Sequence, residues 1–129
     1  MENLSMECPK CHSGFKAIKY EGIEVDRCIK CEGIWFDVLE HEELKKIKGS
    51  ESIDSGDPEK GQEYNQIDKI NCPKCKTQMI RMVDPNQSHI WYEKCSICNG
   101  VFFDAGEFKD FKRYTFSDFI KSFITKERK

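Results

Sequence analysis

The chain has 129 residues, with 21 lysines and arginines against 23 acidic residues, and it contains eight cysteines. This length suffices for one small domain or two very small ones. No stretch approaches the roughly 18 to 20 apolar residues of a membrane helix, and residues 1–10 lack the order of a signal peptide, so we expect a soluble, cytoplasmic protein without an integral membrane segment. Disulfides are rare in reducing compartments, so eight cysteines in four C-x-x-C pairs indicate metal-bound thiolates.

The first unit of the chain is bounded by two cysteine pairs, C-P-K-C at residues 8–11 and C-I-K-C at residues 28–31. Between them, residues 15–20 and 23–27 are β-prone runs on either side of the turn-forming residues 21–22. This pattern predicts a β-hairpin that joins two knuckles, where a knuckle is a C-x-x-C turn.

A helix is expected directly after the second knuckle of this unit. Asp37 is followed three residues later by Glu40, and the same spacing recurs at Asp104 and Glu107. An Asp that accepts from exposed amides, with an acidic residue three positions on, resembles a capping box at a helix start. We therefore take residues 1–48 as two knuckles, a hairpin and a helix.

Residues 49–70 differ in composition from what precedes them. They are rich in serine, glycine and acidic residues and contain few apolar ones. Such a segment cannot bury enough apolar surface to fold by itself. We predict an acidic flexible linker and expect the units on either side to move independently.

The second unit, residues 71–114, repeats the first. It has C-P-K-C at residues 72–75 and C-S-I-C at residues 95–98, and the offset between the copies is 64 residues at the first pair and 67 at the second. The three extra residues lie between the pairs, where residues 79–83 and 89–93 form a second predicted hairpin. An internal repeat of this kind predicts the same small fold twice.

The tail, residues 115–129, carries apolar residues at steps of three and four together with several basic residues. This spacing predicts an amphipathic, basic helix. Its apolar stripe either packs on a ribbon of the same chain or binds a partner protein in the manner of a helix in a groove.

Two zinc ions are the cofactors that the four knuckles predict. Two C-x-x-C turns can place four sulfurs around one tetrahedral ion, and a unit of roughly 40 residues needs such a metal because its apolar core is too small. Iron in a rubredoxin-like site would use the same ligands. The ligands assigned to one zinc are Cys8, Cys11, Cys28 and Cys31, and those assigned to the other are Cys72, Cys75, Cys95 and Cys98.

Two other uses of these cysteines fit the sequence less well. Residues 8–12 match the C-x-x-C-H form of haem attachment, but the second copy has Lys76 where the first has His12. A thioredoxin-like redox centre needs one activated thiol beside a βαβ fold, which four knuckles in tandem do not suggest.

The two halves of the chain differ in charge. Residues 1–64 carry 9 basic and 15 acidic side chains, whereas residues 65–129 carry 12 and 8. The basic C-terminal half therefore leaves nucleic-acid binding open as an alternative, although lysines on a helix are commonly a solvated face.

The repeated pattern resembles the transcription factor IIB-type zinc-finger family, small zinc ribbons of bacteria. The resemblance covers about residues 8–48 and 72–114, and it implies a small, metal-stabilised α+β fold with two tandem zinc ribbons, each followed by a helix. Carried over residue by residue, it also implies that the eight cysteines are the metal ligands. The other positions that match the family pattern are Gly33, Gly100, Trp35, Phe102, Asp37, Asp104, Glu40 and Glu107.

The chain departs from the family at the residue after the last cysteine of each unit, where many relatives have glycine. Here Glu32 and Asn99 occupy it, and because glutamate adopts a left-handed backbone less readily than asparagine, we expect the first knuckle to differ slightly. His41 takes the place of Phe108, so we expect it to pack within its helix rather than bind metal.

Three functions follow from these patterns. The first is a non-enzymatic interaction module that binds a macromolecule, most simply a protein, with the tail as the binding helix. The second is nucleic-acid or transcription-associated binding, although we expect Trp35 and Phe102 to pack on the hairpins rather than stack on bases. The third is a metal-dependent hydrolase that uses Asp37, Glu40 and His41.

Overall fold

A computed structural model describes residues 6–67, 69–84 and 87–111 of the chain. The helix expected at residues 115–129 lies outside the described residues. In the described part, no helix is long and apolar enough to cross a membrane.

Each unit contains a β-hairpin followed by a short third strand. In the first hairpin both turn residues have positive φ, 51° at Glu21 and 83° at Gly22, which is the backbone that a tight two-residue turn requires. In each unit the two strands before the third pair with each other in antiparallel fashion, so the hairpins are confirmed in both copies. The strands are β1 (Phe15–Tyr20), β2 (Ile23–Cys28), β3 (Ile34–Phe36), β4 (Ile80–Asp84), β5 (Gln87–Lys94) and β6 (Val101–Phe103).

The two units join through their third strands into one six-stranded sheet, in the order β1-β2-β3-β6-β5-β4. Strands β3 and β6 are antiparallel, and Trp35 lies opposite Phe102 at the middle of the pair. Because these two residues occupy equivalent positions of the repeat, the ribbons are related by an approximate twofold axis between them. In contrast to the independent units expected from sequence, the ribbons share a sheet, because each short third strand would otherwise leave one edge unpaired.

The helical elements lie after each third strand and between the ribbons. Helix α1 spans Glu40–Lys45, a 3-10 helix spans Ser50–Ile53, helix α2 spans Pro58–Asn65, and residues 107–111 are also helical. The helices that follow both third strands agree with the sequence prediction. The small α+β fold with two tandem ribbons is thus confirmed.

Several of the described residues in the segment 49–70 are buried or hydrogen-bonded, whereas its composition predicts a solvated linker. Ser50, Ile53 and Asp54 are buried. The guanidinium of Arg27 donates to the carbonyl of Ile53 at 3.0 Å and to the hydroxyl of Ser55 at 2.8 Å. Composition alone missed this arrangement because the polar groups are satisfied by distant parts of the chain rather than by water.

The centre of the sheet is buried on both faces, because successive residues of β3 and β6 point to opposite sides and all six are buried. One face packs against the helices, and the other packs against the cysteines with Trp35 and Phe102. The helix-side core consists of Val25, Ile34, Phe36, Leu44, Ile53, Val101, Phe103, Phe108 and Phe111.

Candidate metal centre

The structure gathers the eight cysteines into two groups of four. In each group the four sulfurs all lie within 4.8 Å of one another, and these two groups are the sets with metal-ligand geometry among the described residues. One group is formed by Cys8, Cys11, Cys28 and Cys31, and the other by Cys72, Cys75, Cys95 and Cys98.

The sulfur spacing fits a tetrahedral zinc ion. Four sulfurs at about 2.3 Å from zinc are separated by about 3.8 Å along the edges of the tetrahedron. The Sγ atoms of Cys8 and Cys31 are 3.6 Å apart, and those of Cys72 and Cys98 are 3.7 Å apart. Each group can therefore hold one zinc ion with little rearrangement, as the prediction of two zinc ions requires.

The second knuckle of each ribbon favours a thiolate at its first cysteine, Cys28 or Cys95. In the second ribbon, the backbone N–H groups of Ile97 and Cys98 donate to the sulfur of Cys95 at 3.4 and 3.5 Å. Although burial opposes ionisation, these N–H groups, together with hydrogen bonds from the thiols of Cys98 and Cys72, lower the pKa of Cys95 to about 6. Zinc binds thiolates, so this turn prepares a ligand in its binding form.

The residue that follows each cysteine pair has a left-handed backbone, which closes the knuckle. The φ values are 67° at Glu32 and 62° at Asn99, so the expected difference between the second knuckles is absent at this angle. The carboxylate of Glu32 accepts from the N–H of Asp57 at 2.9 Å and lies 3.9 Å from the ammonium of Lys60. These contacts help to hold a glutamate at a position that favours glycine.

The lysine of each C-P-K-C motif reaches across to the aspartate of the other ribbon. The ammonium of Lys10 donates to Asp104 at 3.1 Å, and the ammonium of Lys74 donates to Asp37. The two contacts are equivalent under the approximate twofold axis. The lysine and the aspartate of the repeat are therefore pairing residues that connect the metal centres.

The glycine of each repeat meets the aromatic residue of the other in the same way. A Cβ atom on Gly33 would lie 2.3 Å from the ring of Phe102, and one on Gly100 would lie 2.3 Å from the ring of Trp35. Both rings are fully buried. Only glycine leaves room for this contact, and we find Trp35 and Phe102 packed between the ribbons rather than available to stack on bases.

The two cross-ribbon ion pairs differ in their surroundings. Lys10 is buried with Asp104 and with Glu93, whose carboxylate lies 3.3 Å from the lysine and 3.3 Å from the guanidinium of Arg81. Burial and the nearby Asp104 raise the pKa of Glu93 to about 7, even though Lys10 and Arg81 oppose the shift. The pair formed by Lys74 with Asp37 is about 40% exposed, with side-chain exposures of 39% and 43%.

Asp37, Glu40 and His41 do not converge on a common ligand position in this structure. The carboxylate of Asp37 accepts from the indole N–H of Trp35 at 3.2 Å, and that of Glu40 accepts from the backbone N–H of Asp37 at 2.9 Å. His41 is buried against an aromatic cluster, with ring centroids 6.2 Å from Phe36 and 6.0 Å from Phe103. These contacts give all three residues structural roles. The carboxylate of Asp37 does not cap α1, however, because the helix begins at Glu40 after Leu39 without a side-chain cap; only the bond from the N–H of Asp37 to Glu40 matches the predicted capping box.

The second ribbon differs from the first at its acidic helix residue. Glu107 accepts from the backbone N–H of Trp91 at 3.0 Å, whereas its counterpart Glu40 bonds within its own turn. Asp54 instead binds the start of the second helix, with contacts of 2.8 Å to the N–H of Gly106 and 3.0 Å to that of Lys109. Sequence reasoning did not single out Asp54, and it did not assign a role to the repeated lysines, although their recurrence in both C-P-K-C motifs was a visible signal.

The sequence matches a family described as transcription factor zinc-finger, over residues 7–48 and again over residues 71–114. No curated protein and no solved structure matches the chain. The two matched regions contain all eight cysteines. They also contain the lysine, aspartate, glycine and aromatic residue of each repeat that form the cross-ribbon contacts.

Proposed function

The chain belongs to the transcription factor zinc-finger family, and from this premise we propose that it is a non-enzymatic interaction module built on two structural zinc ions. The eight cysteines are the ligands, four to each ion. The observation that supports this function most directly is the closure of both groups, since zinc with four protein ligands has no position left for water or substrate. When bound, each ion supplies a cross-link between two knuckles.

The polar residues of the repeat also support a structural role. Asp37 and Asp104 accept from lysines of the opposite ribbon, and Glu40 accepts from the backbone N–H of Asp37. Among the described residues, a hydrolytic site at Asp37, Glu40 and His41 would require all three to leave these contacts. The hydrolase alternative predicts metal-dependent activity that Glu40→Gln abolishes.

The surface that we propose for a partner is the turn formed by Val38 and Leu39. The two residues are 49% and 61% exposed. The equivalent residues of the second ribbon, Ala105 and Gly106, are covered by the segment that contains α2. The approximate twofold symmetry is therefore broken at this point, with one turn occupied and one open.

The occupied turn indicates what such a surface can bind. Gly61 of α2 lies so close that a Cβ atom on it would be 2.0 Å from the carbonyl oxygen of Ala105. Pro58, at the start of α2, lies beside Gly106. A helical segment thus packs on the turn of the second ribbon, and small residues on both sides allow the close approach.

At the open turn the side chains are larger and the surroundings are acidic. Val38 and Leu39 present apolar surface, and the first turn of α1 contributes Glu40, Glu42 and Glu43. We propose that the partner is a protein segment that presents apolar side chains flanked by basic ones, because these would complement both features. As part of this proposal we place the protein in the cytoplasm, where eight thiols stay reduced.

A pull-down with matched variants tests this surface. The zinc-loaded protein would be compared with the double variant Val38→Ser, Leu39→Gly, and with Ile97→Ser as a control that removes an exposed apolar side chain at a knuckle. We expect a protein partner that is captured by the wild type and by the Ile97 variant but is lost with the double variant. Capture that survives the double variant would contradict this binding surface.

Three further measurements test the remaining alternatives and the metal content. Deleting residues 115–129 tests whether the tail is the binding helix, as the sequence suggests. A mobility assay over a salt series tests nucleic-acid binding: steep loss of binding with salt would support phosphate contacts, and no binding at low salt would remove that function. Elemental analysis should return two zinc ions per chain, and a smaller number would contradict the structural role of the metal.

A further inference from the structure

We propose that the two zinc sites bind and release metal as a coupled pair, because each ribbon completes the folded structure around the other's site. This inference rests on the zinc ligands of the proposed function. It adds a thermodynamic property that two separate ribbons in tandem would not have.

The first observation is that the metal-side core is shared. One continuous cluster contains buried cysteines of both groups, together with Trp35 from the first ribbon and Phe102 from the second. Each of these rings packs on the glycine of the opposite repeat, at Gly100 and Gly33. Unfolding one ribbon would therefore remove the packing surface from beside the other metal centre.

The second observation is that the backbone ladder and the ion pairs cross the same boundary. Strands β3 and β6 pair over all three of their residues. Lys10, which lies between two ligands of the first site, is buried against Glu93 and Asp104 of the second ribbon. Without the second ribbon, this lysine would lose both of its buried partners.

The third observation is that the segment between the ribbons is anchored to both. Arg27 of β2 holds this segment through the carbonyl of Ile53 and the hydroxyl of Ser55. Asp54, which lies between those two residues, binds backbone N–H groups of Gly106 and Lys109 in the second ribbon. Because the segment contacts both ribbons, the folded state of one ribbon favours the folded state of the other.

The energetic reason for coupling is that metal binding and folding are one equilibrium in small zinc domains. About 10 to 16 kcal/mol of apparent zinc binding energy is available to fold such a unit at neutral pH. A ribbon of roughly 40 residues cannot form its own core. The first zinc must therefore order a ribbon whose partner surface is missing, and the second zinc binds to a protein in which that surface is present.

Zinc titration of the metal-free, reduced protein tests the proposal by native mass spectrometry. Two independent sites of equal affinity would leave about half of the chains with a single ion when one zinc per chain has been added. We expect the single-ion species to stay well below that level, with metal-free and two-zinc chains dominant. An abundance at or above the independent value would overturn the coupling.

Variants that remove one site provide a second test. It measures zinc affinity at the remaining site, so it stays informative when the ribbon that lacks its site does not fold. Cys72→Ser with Cys75→Ser disables the second site, and Cys8→Ser with Cys11→Ser disables the first. We expect the remaining site in each variant to bind zinc at least about tenfold more weakly than the same site in the wild type, in competition with a chelator of known affinity. Lys69→Ser, an exposed change near the second site, is the control and should leave both affinities unchanged.

Thermodynamic linkage requires that the effect be reciprocal, so the two double variants should lose affinity by similar factors. Wild-type affinity at the remaining site would overturn the proposal. Failure of the proposed function gives a different result, because a wild-type protein that holds fewer than two zinc ions has lost the premise rather than the coupling.

Discussion

Leu39 has a left-handed backbone, with φ of 66°, at the position where the second ribbon has Gly106 with φ of 87°. Leu39 is largely exposed. It precedes α1, and its side chain makes no capping hydrogen bond. This conformation costs about 1 to 2 kcal/mol for a residue with a Cβ atom. Glycine avoids that steric cost but loses more conformational entropy on folding.

We therefore expect Leu39→Gly to stabilise the zinc-loaded protein by about 0.5 to 1 kcal/mol. Chemical denaturation at fixed zinc concentration measures the change. Val38→Gly is the control, because Val38 does not have a positive φ, and it should destabilise the protein. A Leu39→Gly variant no more stable than the wild type would show that the leucine side chain makes a compensating contact.

Glu107 is a residue whose charge should depend on pH in the range where proteins are normally handled. Burial raises its pKa to about 7, although the N–H of Trp91 favours the charged form. A carboxyl group with a raised pKa in the folded state binds more protons there than in the unfolded state, so its contribution to stability falls as pH rises from about 4.5 to about 7.

For Glu107→Gln we expect the stability relative to wild type to increase across that pH range, by about 1 to 2 kcal/mol. Glutamine keeps an acceptor for the N–H of Trp91 but does not titrate. Titration of the cysteine thiols also changes the stability with pH, but this change is common to the wild type and the variant and cancels in the difference between their stabilities. A difference that is constant with pH would contradict the raised pKa, and urea denaturation at several pH values makes the comparison.

At the scale of elements, the segment between the ribbons holds them together through specific contacts and does not merely separate them. Asp54 is fully buried and serves as the cap for the helix at residues 107–111, and burial raises its pKa while the N–H groups of Gly106 and Lys109 oppose this shift. A side-chain cap of this kind contributes about 0.5 to 2 kcal/mol.

We expect Asp54→Ala to cost about 1 to 2 kcal/mol of stability, because it leaves backbone N–H groups of the second ribbon without their acceptor. Ser52→Ala, two residues away and exposed, should change stability by less than about 0.5 kcal/mol. Thermal unfolding of both variants, followed by circular dichroism, measures the contrast. Equal effects of the two changes would mean that the contacts of Asp54 with the second ribbon contribute nothing specific to stability.

At the scale of the whole molecule, the two cross-ribbon ion pairs have the same topology but different environments. Lys10 is fully buried with Glu93 and Asp104, whereas Lys74 and Asp37 are about 40% exposed. Removing one partner of a buried ion pair leaves an uncompensated charge, while a solvent-exposed pair contributes little.

We expect Lys10→Met to cost about 3 to 5 kcal/mol. Lys74→Met should cost less than about 1 kcal/mol, even though the two residues are equivalent in the repeat. The two variants serve as controls for each other, because each removes one lysine from one C-P-K-C motif. Similar costs in chemical denaturation at fixed zinc would contradict the assigned difference in burial.

The sequence by itself determined the local parts of this protein. The spacing of the cysteines indicated two groups of four, the turn residues 21–22 indicated a hairpin, and Asp37 with Glu40 indicated a helix start. These features are readable because their interactions lie close together along the chain: the N–H of Asp37 reaches Glu40 only three residues away. The single hairpin-and-knuckle unit therefore follows from pattern and turn chemistry.

Only the tertiary structure decided how the two units meet. Lys10 pairs with Asp104, which is 94 residues away, and Trp35 packs on Gly100 of the other repeat. No local pattern encodes such a partner, because each contact depends on the sheet that β3 and β6 complete. The sequence could state that a lysine, a glycine, an aromatic residue and an aspartate recur, but the shared core is what gives them their roles, since each ribbon is too small to bury them alone.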